Sequence, residues 1–90
     1  MINMKWDKYG FVIASKVRKN TLSTLGEKPC TPSQVTKKLS LDKSQITRVL
    51  HELEKEKLII CLTPHNRKGK LYKISKEGRH LMEKLKSLDS

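Results

Sequence analysis

"TPSQVTKKLSLDKSQITRVLHELEKEKLII", Thr31 to Ile60, decides the fold. Thr31 suits a helix N-cap, and Pro32 suits the first helical position, where its missing N–H costs nothing. Val35 and Leu39 follow at i, i+4, which predicts a short helix. Ser40-Leu41-Asp42 reads as a tight turn with an apolar residue at its centre, and either Asp42 or Ser44 suits the cap of the next helix. In that helix Ile46, Val49, Leu50 and Leu53 fall at i, i+3, i+4 and i+7, one apolar face that runs to about Lys57. Two short helices across a tight turn, the second amphipathic, make a helix-turn-helix.

Upstream, Val17, Thr21, Leu22 and Leu25 share one helical stripe, so a helix is predicted over about 15–25 with Ser15 as N-cap. Gly26 suits its left-handed C′ position, and Pro29 ends any continuation. "YGFVIAS", Tyr9 to Ser15, is β-branched and aromatic, and reads either as a short strand or as the first turns of a longer helix. Downstream, 58–63 reads as a strand and 64–70 as a loop with Asn66 and Gly69 as turn residues. Leu71 to Ile74 reads as a second, alternating strand. Ser75 then suits the cap of a last helix carrying Leu81, Met82, Leu85 and Leu88. The order is helix, helix, turn, helix, hairpin, helix. The expected class is α+β, mainly helical: one domain over 1–90, with an N-terminal extension over 1–14 and a C-terminal helix over 75–90.

Composition narrows the partners. Twenty Lys and Arg oppose nine Asp and Glu in 90 residues, a formal charge of +11. Such an excess repels itself unless a polyanion meets it, and nucleic acid is the commonest one. An anionic membrane surface is the other candidate, but no apolar run approaches the ~20 residues needed to span a bilayer. The amino terminus has no apolar stretch of the secretory kind, so a cytoplasmic protein is expected. Cys30 and Cys61 fit no metal-ligand or CxxC spacing and are expected reduced. Neither a Ser/His/Asp set, nor paired carboxylates, nor a glycine-rich phosphate loop emerges, so no catalytic activity and no cofactor is expected.

"TPSQVTKKL", "SQITRVLHELEKEKLI" and "RKGKLYKISKEG" together resemble the winged-helix transcription regulators of the MarR/ArsR-like superfamily, in particular the small forms common in archaea. The resemblance covers about Ser15 to Leu85. It rests on the opening of the first helix of the pair, on the Ser-x-x-hydrophobic-x-Arg-x-Leu-x-x-Leu pattern of a recognition helix, and on the Tyr-x-hydrophobic-Ser-x-x-Gly run that leads into the last helix. It implies a winged helix-turn-helix with a three-helix core, a β-hairpin wing and a C-terminal helix. It also implies binding to double-stranded DNA, usually as a dimer, without enzymatic activity. Lys57 departs from the pattern, because the family commonly has Gly there. Either Lys57 takes a less easy C-cap, or the recognition helix ends differently.

The expected interface follows from the outward faces. On the helix over about 43–57, Ser44, Gln45, Thr47 and Arg48 are the types that read base edges in a major groove. Lys43 and His51 flank them and suit phosphates. A second possibility for Arg48 is an i, i+4 pair with Glu52, worth only a few tenths of a kcal/mol. The wing over 64–70 carries Arg67, Lys68 and Lys70 to an adjacent minor groove or its phosphates, with Arg67 the better minor-groove cation. Lys37 and Lys38 lie where the preceding helix crosses the backbone. Thr31, Ser33 and Gln34, and Lys16, Arg18 and Lys19, are further candidates for phosphate contact. Trp6 and Phe11 at one end, and Leu81, Leu85 and Leu88 at the other, are the expected contacts of a homodimer. No effector site is evident. The competing readings are a non-specific nucleic-acid binder, acting on RNA or as a nucleoid architectural protein, and a protein-interaction winged helix.

Overall fold

The computed structural model describes the backbone of residues 4–89 and the side chains of residues 8–87. Its elements are α1 (Met4–Ile13), α2 (Lys16–Glu27), α3 (Pro32–Leu39), α4 (Lys43–Lys55), β1 (Ile59–Cys61), β2 (Tyr72–Ile74) and α5 (Lys76–Asp89). The "YGFVIAS" stretch is the end of a helix rather than a strand. It is a helix of its own, because the chain breaks at Ala14-Ser15, where the Ser15 hydroxyl accepts from the Arg18 N–H and starts α2. Gly26 is not a C′ residue. α2 continues to Glu27 and ends in extended backbone at Lys28, just before Pro29.

The caps of the helix pair form as local chemistry dictates. The Thr31 hydroxyl accepts from the Gln34 N–H while the Gln34 side chain accepts from the Thr31 N–H, a reciprocal capping box. Ser40 is left-handed (φ 55°) and ends α3. Leu41 in the turn packs against the core. Asp42 stands at the N-cap of α4 without a side-chain bond to the helix. Its carboxylate instead accepts from the Ser44 hydroxyl.

α4 ends earlier than its apolar pattern suggests, and Lys57 is the reason. Lys57 is left-handed (φ 63°). Its N–H bonds to the Glu54 carbonyl, and the Leu58 N–H bonds to the Leu53 carbonyl. Leu53 and Leu58 are both fully buried. This is the Schellman arrangement with its usual apolar contact, built on a residue for which the conformation is strained.

β1 and β2 pair antiparallel with Ile59 opposite Ile74 and Cys61 opposite Tyr72. Cys30 makes an isolated bridge to the other side of Tyr72, through reciprocal bonds of 2.9 Å. Two strand spacings of about 4.8 Å therefore separate Cys30 from Cys61, more than the ~7 Å that a disulfide can span. Both cysteines are free, one buried and one half-buried.

The core joins Val12 of α1, Leu22 and Leu25 of α2, Val35 of α3 and the apolar face of α4 to Leu58, Ile59, Tyr72 and Ile74. Leu81, Met82 and Leu85 of α5 close it. Leu81 and Leu85, expected at a homodimer contact, are thus already covered within one chain. Phe11 is half-buried against the same core. The side chains of Trp6 and Leu88 lie outside the described residues.

α5 begins where the chain leaves α4. The Ser75 hydroxyl donates to the Lys57 carbonyl (2.7 Å) and accepts from the Gly78 N–H (3.0 Å), while the Ser75 N–H bonds to the Leu58 carbonyl (3.0 Å). A Cβ on residue 78 would lie 2.2 Å from that Leu58 oxygen, so only glycine fits. Gly78→Ala is therefore expected to lower the denaturant-unfolding free energy by about 1–3 kcal/mol, since backbone rather than a side chain must move. Lys57→Gly should raise it by about 1 kcal/mol by removing the left-handed strain. Equal midpoints for the wild type and both variants would contradict this account of the α4–α5 junction.

Candidate nucleic-acid interface

The apolar face of α4 turns inward and leaves a continuous outer strip. Lys43, Ser44, Thr47, Arg48, His51, Glu52 and Lys55 line a shallow, open groove along it. Lys43, Ser44, Arg48 and His51 are exposed, and Thr47 is half-buried. Gln45 lies off this groove and is half-buried in the first turn. The Ser44 hydroxyl is held by Asp42, so a partner would meet it already oriented.

The Arg48–Glu52 pair, the second possibility for Arg48, is not formed among the described residues. Glu52 is taken by Arg18 of α2, at 3.2 Å from Nε to Oε1. Arg48 consequently faces outward with no carboxylate partner among the described residues. Sequence reading had given Arg18 only a generic phosphate role. A contact between residues 34 apart leaves no periodic trace in the chain.

The hairpin is drawn in at its neck and open at its tip. The Leu62 N–H bonds to the Leu71 carbonyl (2.7 Å), and the Leu71 N–H bonds back to the Thr63 hydroxyl (2.9 Å). Thr63 thus closes the loop with its side chain, a role that no spacing rule reveals. Beyond it the Asn66 N–H bonds to the Thr63 carbonyl, and Gly69 turns the chain at φ 65° with open space around it. Residues 64–69 are exposed, Arg67 and Lys68 among them, while Lys70 is half-buried at the neck.

On α3, Lys37 is exposed and Lys38 pairs with Glu27 of α2 at 2.5 Å. That hydrogen bond, and then the Lys38 charge, hold the Glu27 carboxyl below its ordinary range. Both groups are open to water, so the pair is salt-sensitive rather than fixed. Thr31 and Gln34 are occupied in the capping box, which limits what they offer to phosphate. Among the described residues, no three His, Cys, Asp or Glu side chains gather to hold a metal, and no helix is long and apolar enough to cross a membrane.

No protein-family model and no curated protein matches the chain. Solved structures do. The chain superposes on the S. aureus MepR–DNA complex with a TM-score of 0.74 at 21% identity, covering 93% of this chain and 72% of that one. The chain has the winged-helix fold of the MarR family. A second MarR family transcription regulator gives a TM-score of 0.75 at 21% identity over 83% of this chain, and the oxidized form of MarR from E. coli gives 0.69 at 28% identity over 79%. The chain spans about half of each of these two proteins, 51% and 52%. In winged-helix terms α3 and α4 are the helix-turn-helix, residues 62–71 are the wing, and Cys30 supplies the short third row of the sheet. Of these three, one is named a MarR family transcription regulator and one was solved in complex with DNA.

Proposed function

We propose that this protein is a transcription regulator that binds double-stranded DNA in a sequence-specific manner. α4 lies in the major groove in this reading, with Ser44, Gln45, Thr47 and Arg48 at base edges and Lys43 and His51 at phosphates. Arg67, Lys68 and Lys70 carry the wing to the adjacent minor groove or backbone, and Lys37 and Lys38 steady α3 across a strand. One observation carries the reading. The outer strip of α4 is cationic and polar, its Arg48 is unpaired among the described residues, and it belongs to a fold shared with a protein solved on DNA.

Gln45 sits at the edge of that strip, so its base contact is the more demanding one geometrically, whereas Arg48 already faces outward. A homodimer completes the proposal, held by the ends of α1 and α5 through Trp6, Phe11 and Leu88. It would set two copies of α4 about 34 Å apart, one turn of duplex. The protein acts in the cytoplasm and uses no cofactor.

Selection from a random duplex pool, followed by competition with unselected DNA, tests the central statement. A selected site should be preferred by ~10³ or more. Equal affinity for every duplex, or a preference for RNA, would replace this reading with that of an architectural binder. Solution mass, read with and without the selected site, should be that of two chains.

Two sets of variants separate the contacts. Arg67→Ala, Lys68→Ala and Lys70→Ala together should weaken binding to all sequences and flatten the salt slope by about one unit per lost phosphate contact. An unchanged slope would remove the wing from the interface. Arg48→Ala, and separately Gln45→Ala, should relax discrimination at one position of the site by about 1–3 kcal/mol while retaining affinity for mismatched sites. A uniform loss across matched and mismatched sites would instead assign that residue to the backbone.

A further inference from the structure

Glu52 is the sole acid among the side chains that line the α4 groove. A bare carboxylate there would repel phosphates from the helix that must approach them. Its partner comes from beneath. Arg18, in the first turn of α2, places Nε 3.2 Å from Glu52 Oε1. The same guanidinium donates through Nη1 to the Phe11 carbonyl at 2.9 Å, and its Cζ stands 3.9 Å from the centroid of the Phe11 ring.

α1 therefore cradles the arginine by a carbonyl and a ring face, and α2 carries it. The remaining edge is presented to α4. The planar fork of arginine serves all three partners at once, while masking Glu52 requires only that a cation stay beside it. Side-chain exposure is 23% for Arg18 and 35% for Glu52, so water screens the pair only in part and Arg18 is held below the groove.

Building on the DNA reading above, we infer that Arg18 is a positioning residue for duplex binding. It cancels the charge of Glu52 within the reading surface and leaves Arg48 free of its i+4 carboxylate, without touching DNA itself. The occupancy of that pair ties the N-terminal helix to the electrostatics of α4.

The test uses the full chain and one fluorescent duplex carrying a selected site, with Arg18→Gln, Arg18→Lys, Glu52→Gln and the Arg18→Gln/Glu52→Gln double variant, each checked by thermal melting. Arg18→Gln is expected to weaken binding about five- to tenfold near physiological salt by unmasking one carboxylate. The double variant should return to within about twofold of Glu52→Gln, because the charge that needed cancelling is gone. Arg18→Lys, which keeps the charge, should bind within about twofold of wild type.

Undiminished binding by Arg18→Gln, or a double variant no better than Arg18→Gln, overturns the inference. The second result would make Arg18 a DNA contact or a purely structural residue. Should Arg18→Gln fail to fold, the other single variants decide. Glu52→Gln is expected to bind at least as tightly as wild type, and a marked loss in Glu52→Gln or in Arg18→Lys overturns the inference. Lack of duplex binding by the unaltered chain would instead remove the DNA reading, and this inference with it.

Discussion

The carbonyl of Leu58 is the point on which the molecule turns. It accepts the Ser75 N–H, and it stands where a side chain on residue 78 would have to be. Three segments meet there: the end of α4, the end of β2 and the first turn of α5. The meeting is possible because Lys57 reverses the chain in a left-handed conformation and Gly78 has no Cβ. With both ends of the hairpin fixed at that junction, short paired strands absorb residues 59–61 and 72–74, and what lies between them has to project. The wing is thus a consequence of the junction as much as of its own sequence. Its neck needs only the Thr63 hydroxyl and the bond from the Leu62 N–H to the Leu71 carbonyl to stay drawn together.

The electrostatic design lies in which acids are answered rather than in the total of +11. Glu27 is answered by Lys38 of α3, Glu52 by Arg18 of α2, and Glu77 by Lys8 of α1. Each pair crosses between helices. The one exposed on both sides, Lys38–Glu27, contributes little to stability. The importance of all three is in the charges they leave over. Arg48, Lys43, Arg67 and Lys68 remain directed at solvent without an acid partner among the described residues, and a polyanion would meet them. The pair that differs from the rest is Arg18–Glu52, because its carboxylate belongs to the α4 groove and its guanidinium is fixed against Phe11.

Much of this was legible in the chain, because the signals are local. The capping box at Thr31 and Gln34, the turn at Ser40, the i, i+3, i+4, i+7 face of α4, the cap at Ser75 and the charged loop after Pro64 each act over a few residues. Hydrogen bonds between near neighbours and the 3.6-residue repeat place such features without knowledge of the rest. Tertiary structure decided the others. "YGFVIAS" satisfies either a strand or a helix, and packing against α2 through Val12 and Phe11 chose the helix. Leu81 and Leu85 are an apolar stripe in either environment, and only the position of α5 against α2 and β2 turned them into the core. Arg48 and Glu52 have the spacing of a pair, yet Arg18 competes successfully because its geometry is set by α1 and α2. The sequence by itself determined that the segments of α2 to α5 are helical and where the cations cluster. Which cation meets which acid, and which apolar side chains are left for a partner, depended on contacts between residues far apart in the chain, and those have no local repeat to announce them.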